Sequence, residues 1–197
     1  MLFRSLDAAG HGLSGSRSPD AEYNLWQDAG DVLDVQGTLG WERCTLLGHS
    51  RGAAISLLFA AAFPERVDKL VLLEGGLPVT GEAEDSPENL ARALLDRRTL
   101  RDRQGRVFSE RARAIPERTQ AFTKVTEAAA EILARRSLRE ASGGFQWHAD
   151  QRLKGASALR FTAEHTRAFA RHVKVPVLLR SEEHTSELQS LAYLVCR

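Results

Sequence analysis

A serine lies between two glycines in the segment 48–52, Gly-His-Ser-Arg-Gly, and this spacing is typical of a turn that presents a serine nucleophile. The apolar run 44–47 precedes the segment and the apolar run 53–62 follows it, which predicts the order strand, turn, helix. Such a turn holds Ser50 in a strained backbone with its Oγ exposed, and leaves no room for side chains at positions 48 and 52. The helix that begins at Arg51 directs free N–H groups and a partial positive charge toward the serine. Ser50 could therefore attack a carbon whose oxygen becomes an oxyanion.

The segments around this turn predict strands that alternate with helices. Residues 22–39 have apolar positions at helical spacing, which predicts a helix. The runs 44–48 and 69–73 are almost continuously apolar, and the helix 51–63 lies between them. Because apolar strands between helices are typical of parallel sheets, we expect a parallel sheet covered on both faces. A further strand is predicted at residues 2–6.

The pattern changes between residues 80 and 172, where the sequence predicts amphipathic helices and no convincing strand. The clearest of these helices is 116–136, which has proline in its first turn and one apolar face. Strand character returns at residues 175–179. We therefore expect the α/β class, with a partial parallel sheet and an inserted helical cap. The predicted organisation is a core at 1–79, a cap at 80–172 and a return strand at 173–179.

Composition and charge exclude several classes of protein. The 197 residues are 43% hydrophobic and 27% charged, and a net charge of +1 gives no general reason to expect nucleic-acid or membrane binding. The longest apolar stretch, 53–63, is too short to cross a bilayer, and no export signal opens the chain. Two cysteines, Cys44 and Cys196, form no disulfide framework, so we expect a cytoplasmic protein. The sequence contains no metal cluster or dinucleotide motif, so no cofactor is expected.

Arginines are concentrated between residues 91 and 140, which contain twelve Arg and one Lys against seven Asp and Glu. A patch of this sign could bind anionic substrates or nucleic acid. The acidic residues are interspersed, however, and no aromatic residues alternate with the arginines. A solvated helix surface is therefore favoured, and no nucleic-acid partner is expected.

Three ordered motifs resemble the α/β-hydrolases. Residues 7–14, Asp-Ala-Ala-Gly-His-Gly-Leu-Ser, resemble the segment after the fourth strand of that family. Residues 48–52 resemble its nucleophile elbow, and residues 63–75 resemble the helix end and sixth strand that follow. Within the superfamily the chain is most similar to the serine hydrolase-like proteins, which are related to epoxide hydrolases and haloalkane dehalogenases. Because those relatives use an aspartate nucleophile, Ser50 argues against epoxide or haloalkane chemistry.

The resemblance implies that the chain is a fragment. The family places three strands before the one that begins here at Leu2, and the loop after its third strand supplies a second oxyanion N–H. It also places the triad histidine after the last strand, where this chain has none. Residues 180–190 resemble the translation of a common DNA-sequencing adapter, so we expect the authentic protein to end near Leu179 and residues 180–197 to be a non-native tail. An unusual but genuine C-terminus is the alternative.

The resemblance also implies roles for individual residues. Ser50 would be the nucleophile, and the backbone N–H of Arg51 would contribute to the oxyanion hole. Two positions are open for the triad acid: Glu74, at the end of a strand, or a residue after the strand 175–179. The alternative for Glu74 is a structural role in its turn. Asp7 is expected to anchor its loop. The histidines are expected to order loops or lie on the surface, or fall within the tail; these are His11, His49, His148, His165, His172 and His184.

Two functions from different classes remain open. The first is a serine hydrolase that acts on an ester or other acyl substrate and is inactive as this fragment, because the triad histidine and second oxyanion loop are absent. The second is a non-catalytic ligand-binding protein on the same scaffold. A fluorophosphonate probe distinguishes them, since it labels a serine only where the serine is activated.

Overall fold

The structure is a computed structural model that describes residues 3–120 and 125–181. The helices in these ranges are α1 (Leu25–Thr38), α2 (Arg51–Ala62), α3 (Ser86–Leu100), α4 (Ile115–Thr119), α5 (Glu127–Ser137) and α6 (Ala163–His172). The strands are β1 (Cys44–His49), β2 (Val67–Leu73), β3 (Val107–Phe108), β4 (Leu138–Ala141), β5 (Gly144–Trp147) and β6 (Val177–Arg180). None of the described helices is long and apolar enough to span a membrane.

The chain divides into two compact units. The first, here called the parallel unit, comprises the described residues of 24–92 and 157–181, and the second, the antiparallel unit, comprises the described residues of 3–23 and 93–156. In the parallel unit the strands lie in the order β1-β2-β6 and run parallel, which confirms the predicted parallel sheet. The register pairs His49 at the end of β1 with Leu73 at the end of β2. Both strands therefore end at the same edge of the sheet.

The core of the parallel unit lies on one face of this sheet. Leu70 and Leu72 of β2 pack with Leu57 and Phe59 of α2 and with Ala170 of α6. Apolar residues of α1 pack against the same cluster. Because α2 is apolar on all sides, burial from Ala53 to Ala61 is what its composition requires.

The opposite face of the sheet is exposed in the described residues. Leu47 of β1 is 56% exposed and Leu178 of β6 is 60% exposed, because alternate strand residues point away from the packed helices. The prediction of a sheet covered on both faces is therefore wrong for the described part of the chain. An apolar run shows that a strand can be buried on both faces, but it does not show that a second layer of helices covers the other face.

The antiparallel unit contains a sheet that the sequence did not predict. Its strands lie in the order β3-β5-β4 and all pair antiparallel, so the expectation of no strand between residues 80 and 172 is wrong. These strands have only two to four residues, which is too short for their period to stand out from the surrounding helices. The buried apolar residues that pack together in this unit are Phe108, Ala114, Ile115, Ala130, Ala134 and Leu138.

Two other predicted elements are wrong. The helix predicted at 116–136 is two helices, because α4 ends at Thr119 and an extended Thr126 caps the start of α5. Its residues 121–124 lie outside the described residues. The strand predicted at 2–6 is not formed at residues 3–6, and Leu2 is outside the described residues.

The predicted tail, residues 180–197, falls almost entirely outside the described residues. Arg180 is the last residue of β6, and Ser181 is the last residue described. The predicted organisation into a core at 1–79, a cap at 80–172 and a return strand at 173–179 stays a prediction.

Candidate active site

The turn between β1 and α2 has the strained geometry that its sequence predicts. Ser50 has φ 50° and ψ −116°, a conformation that residues other than glycine rarely adopt, and it is exposed. A Cβ added at Gly48 would collide with the backbone of Gly52 and Ala53. A Cβ added at Gly52 would meet nothing within 4 Å. The predicted steric requirement for glycine is therefore confirmed at position 48 and wrong at position 52.

The first turn of α2 leaves backbone donors beside the serine. The N–H groups of Ala53 and Ala54 donate to the Ser50 carbonyl at 3.0 and 3.3 Å, which makes Ser50 the N-cap of the helix. The Ser50 hydroxyl makes no capping hydrogen bond. The N–H groups of Arg51 and Gly52 precede the first bonded turn, so they have no partner within the helix. With the partial positive charge of the helix, they can stabilise negative charge next to the hydroxyl.

The side chain of Arg51 is held by a carboxylate of α1. Its Nε and Nη2 donate to Asp28 Oδ2 at 3.1 and 2.5 Å. The Asp28 side chain is only 3% exposed, whereas that of Arg51 is 40% exposed. The pair therefore ties the residue that follows Ser50 to the neighbouring helix. Sequence reasoning missed Asp28 because no local pattern connects a helix position with a turn 23 residues later.

Glu74 lies next to Ser50 at the carboxyl edge of the sheet. The Ser50 N–H donates to the Leu73 carbonyl at 2.9 Å, and a Cβ at Gly75 would approach Ser50 Cα at 3.2 Å. Glu74 itself has φ 47° and is exposed, and its Oε2 accepts a hydrogen bond from Ser181 Oγ at 3.2 Å. The structure thus brings together the three residues singled out by the sequence, Ser50, Arg51 and Glu74.

The histidines in the described residues do not hydrogen-bond to Ser50 Oγ. His11 and His148 contact backbone carbonyls of residues 9 and 14 in the antiparallel unit. His165 forms a capping box with Thr162 at the start of α6, and His172 contacts the Ala168 carbonyl in its last turn. His49 is exposed at the end of β1, and His184 lies outside the described residues. Among the described residues, no group of three or more His, Cys, Asp or Glu could hold a metal ion.

The segment 7–14 belongs to the antiparallel unit, and Asp7 organises it. The Leu13 N–H donates to Asp7 Oδ2 at 3.0 Å, and Ser14 Oγ donates to the Asp7 carbonyl at 2.6 Å. Arg136 Nη2 also donates to Asp7 Oδ2, at 2.8 Å. The Leu13 hydrogen bond, followed by the Arg136 contacts, lowers the pKa of Asp7. These contacts give Asp7 the anchoring role that the sequence led us to expect.

A second carboxylate, Asp150, fastens the same segment. Its N–H donates to the Gly10 carbonyl at 3.0 Å, and its Oδ2 accepts from Tyr23 Oη and Arg152 Nη2, both at 2.7 Å. Arg152 donates in addition to the carbonyl of Arg17 at 2.6 Å. Burial acts to raise the pKa of Asp150, but the hydrogen bonds from Arg152 and Tyr23 outweigh it and hold the pKa at about 2.

Comparison with known proteins identifies the family. The sequence profile of the alpha/beta hydrolase fold matches residues 5–186. The chain is 31% identical over 185 residues to the serine hydrolase-like protein of Danio rerio, covering 90% of this chain and 55% of that protein. It is 30% identical over 209 residues to serine hydrolase-like protein 2 of Homo sapiens, covering 97% of this chain and 65% of that protein. The chain therefore belongs to the α/β-hydrolase fold family, and it spans about half to two thirds of the length of these curated relatives.

Solved structures agree with this assignment. The hypothetical protein PA1622 from Pseudomonas aeruginosa PAO1 is 41% identical and superposes with a TM-score of 0.89, covering 95% of this chain and 68% of that one. The thioesterase domain from the curacin biosynthetic pathway superposes with a TM-score of 0.78 over 96% of this chain and 70% of that one. Because the identity to that domain is 24%, its similarity shows the fold alone.

Proposed function

We propose that this chain carries the nucleophile of a serine hydrolase that acts on an ester or other small acyl substrate. The observation that carries the proposal is the positive φ of two residues that are neighbours in space. Among the described residues other than glycine, only Ser50 and Glu74 have positive φ, and they lie side by side at the carboxyl edge of the sheet. Backbone strain of this kind costs about 1–3 kcal/mol per residue and collects at functional sites.

In the proposed reaction, Ser50 Oγ attacks the acyl carbon while a histidine base accepts the hydroxyl proton. The oxyanion that forms accepts a hydrogen bond from the Arg51 N–H at the start of α2. The histidine then gives the proton to the leaving group, and water releases the acyl group in a second cycle of the same steps. Glu74 is our candidate for the acid that orients the histidine, since it is exposed and directly follows Leu73, whose carbonyl accepts the Ser50 N–H.

The histidine is the part of the site that the described residues do not provide. None of the described histidines hydrogen-bonds to Ser50 Oγ, and a serine hydroxyl without such a base stays protonated and is a poor nucleophile. We therefore expect the 197-residue chain to react slowly. The same observation favours the second candidate function, a non-catalytic ligand-binding protein on this scaffold.

The names of the relatives support a hydrolase without identifying the substrate. Two of them are called serine hydrolase-like. We extend this to an acyl substrate for the present chain, selected by the segment predicted as the cap at residues 80–172. A cytoplasmic location, and the absence of a cofactor, nucleic-acid partner or membrane, remain part of the proposal.

Alkylation of a cysteine placed at position 50 tests the electrostatic environment of the nucleophile, and it does so without needing the histidine base. Ser50→Cys places a thiol at the N-terminus of α2, where the helix lowers thiol pKa values below the usual value of about 8.5. We expect iodoacetamide to alkylate this thiol about tenfold faster at pH 6.5 than the thiol of the matched variant Ser157→Cys, which lies in an exposed loop. Peptide mapping separates the introduced thiol from the native Cys44 and Cys196. Burial raises the pKa of Cys44, which slows its background reaction. Equal rates at positions 50 and 157 would contradict the proposed nucleophile site.

Fluorophosphonate labelling then distinguishes hydrolase from binding protein. We expect slow labelling of the unchanged chain, faster labelling when free imidazole supplies the base, and none in Ser50→Ala. Imidazole that accelerates labelling equally in Ser50→Ala would show that the probe reacts elsewhere. Fast labelling without imidazole would show that a base is present after all.

A further inference from the structure

The helix α3 presents an apolar face to solvent. Leu90, Leu94 and Leu95 are 47%, 50% and 63% exposed, and they lie with Pro87 and Ala91 on adjacent turns of one side. The less exposed side of the helix carries mostly small or polar residues at spacings of three and four, namely Ser86, Asn89, Ala93, Asp96 and Leu100. This is the reverse of an ordinary surface helix, in which the apolar stripe faces the core.

Charges at the two ends of α3 are of opposite sign. The charged residues before the helix and in its first turn are acidic, namely Glu82, Glu84, Asp85 and Glu88. Those in and after its last turn are mainly basic, namely Arg97, Arg98, Arg101 and Arg103, with Asp102 among them. Arg97 and Arg101 contact Asp20 or Glu22 of the same chain at 3.3 to 4.0 Å. Arg98 follows the leucines on the outward side and makes no ion pair within the described ranges. Glu88 is 81% exposed, with only a long contact of 3.9 Å to Arg92.

We propose that α3 binds α3 of a second copy of this chain in an antiparallel pair. An antiparallel arrangement about a two-fold axis places the leucines of one copy on those of the other. It also places the acidic end of each helix beside the basic end of its partner, with Glu88 opposite Arg98 in both halves. A parallel arrangement would instead oppose acid to acid and Arg98 to Arg98, which is unfavourable.

The size of the surface sets the strength of the pair. A helix of 15 residues is about 22 Å long, so the contact is at the small end of specific interfaces. We therefore expect a reversible dimer that forms at micromolar concentration and becomes weaker in high salt. This inference does not depend on the proposed hydrolase function, because it rests only on the exposed leucines and the charges of α3.

Sedimentation equilibrium of the full 197-residue chain tests the apolar part of the proposal. We expect Leu94→Ser combined with Leu95→Ser to raise the dissociation constant at least about a hundredfold, since four leucine side chains leave the interface of the dimer. Leu159→Ser is the matched control, because Leu159 is 57% exposed and lies outside α3. Leu178→Ser tests the exposed sheet face as a competing surface. Association that survives the α3 substitutions and is lost in Leu178→Ser would overturn the proposal, as would a chain that stays monomeric at 100 µM.

Charge reversal tests the antiparallel geometry. Glu88→Lys alone and Arg98→Glu alone should each raise the dissociation constant about fivefold, because two ion pairs become repulsive in the dimer. The combined variant restores the pairing and should regain the affinity of the unchanged chain, while failing to mix with it. Thermal unfolding of each variant controls for loss of structure. A combined variant that dimerises more weakly than both single variants would exclude this geometry. Equal dissociation constants for the unchanged chain and all three variants would show that the charged ends do not meet, which would also overturn the antiparallel pair.

Discussion

The carboxyl edge of the parallel unit and the segment 7–14 of the antiparallel unit are both tight turns, but they use positive φ differently. In the segment 7–14 the positive φ values belong to Gly10 and Gly12, at 75° and 50°. At the sheet edge they belong to Ser50 and Glu74, at 50° and 47°. Glycine adopts this conformation without strain, whereas serine and glutamate do not. The two strained residues are thus the ones to which the proposed function assigns a nucleophile and an acid.

The two turns also differ in what holds them. The sheet edge is fixed by backbone contacts, such as the Ser50 N–H to the Leu73 carbonyl and the close approach of Gly48 to Gly52. The segment 7–14 is fixed by the carboxylate of Asp7, which accepts from the Leu13 N–H, and by the backbone N–H of Asp150, which donates to the Gly10 carbonyl. The carboxylate of Asp150 in turn accepts hydrogen bonds from Tyr23 and Arg152. Steric change should therefore damage the first turn, and loss of charge should damage the second.

The largest effect should come from Gly48→Ala. Its Cβ would collide with the backbone at Gly52 and Ala53, which cannot move without displacing α2, so we expect the free energy of unfolding to fall by about 3 kcal/mol. Gly52→Ala is the matched control. Its Cβ has open space within the helix, so we expect a gain of about 0.5 kcal/mol. Urea unfolding followed by circular dichroism measures both. Similar losses in the two variants would show that the backbone contact is not the cause.

A smaller effect should come from the charge of Asp150. Its pKa is about 2 in the folded chain against 3.8 ordinarily, so its ionised form stabilises the fold by about 2 kcal/mol above pH 4. Because the folded pKa is the lower one, this stabilisation is lost as the pH falls from about 4 to about 2. We expect Asp150→Asn to be about 2 kcal/mol less stable than the unchanged chain at pH 7 and nearly equal to it at pH 2.

The difference in unfolding free energy between these two proteins, measured by urea titration across that pH range, checks this expectation. Glu110→Gln is the control, since Glu110 is exposed and its substitution should give no such trend. A constant difference at all pH values would mean that packing, and not charge, accounts for the loss.

The site was predictable because its information is local. Five residues from Gly48 to Gly52, with apolar segments on both sides, specify strand, turn and helix, and the structure has β1, the turn and α2 at those places. The position of Glu74 also follows from local sequence, because parallel strands end at the same edge. The Arg51–Asp28 pair could not be found in this way, since it depends on how two helices pack.

The antiparallel sheet was missed for a different reason. Its strands β4 and β5 have four residues each, and their neighbours are helices, so an average over a longer window favours helix. A signal was nevertheless present. Ser142 and Gly143 form a two-residue connection between the paired residues Ala141 and Gly144, and such a dipeptide between short alternating segments is typical of a hairpin.

The smallest predicted effects test the strain itself. If Ser50 and Glu74 are held in an unfavourable conformation, replacement by glycine should relieve it, and Glu74→Gly should raise the free energy of unfolding by about 1 kcal/mol. Ser50→Gly should give a similar gain and should also abolish fluorophosphonate labelling, so that stability and reactivity change in opposite directions. Glu82→Gly is the control, because Glu82 has an ordinary φ of −77° and its replacement should be slightly destabilising. Thermal unfolding resolves these differences. Loss of stability in both Ser50→Gly and Glu74→Gly would show that the two side chains stabilise the fold by more than their backbone strain costs. The use of serine and glutamate here, where the segment 7–14 has Gly10 and Gly12, would then have a structural cause.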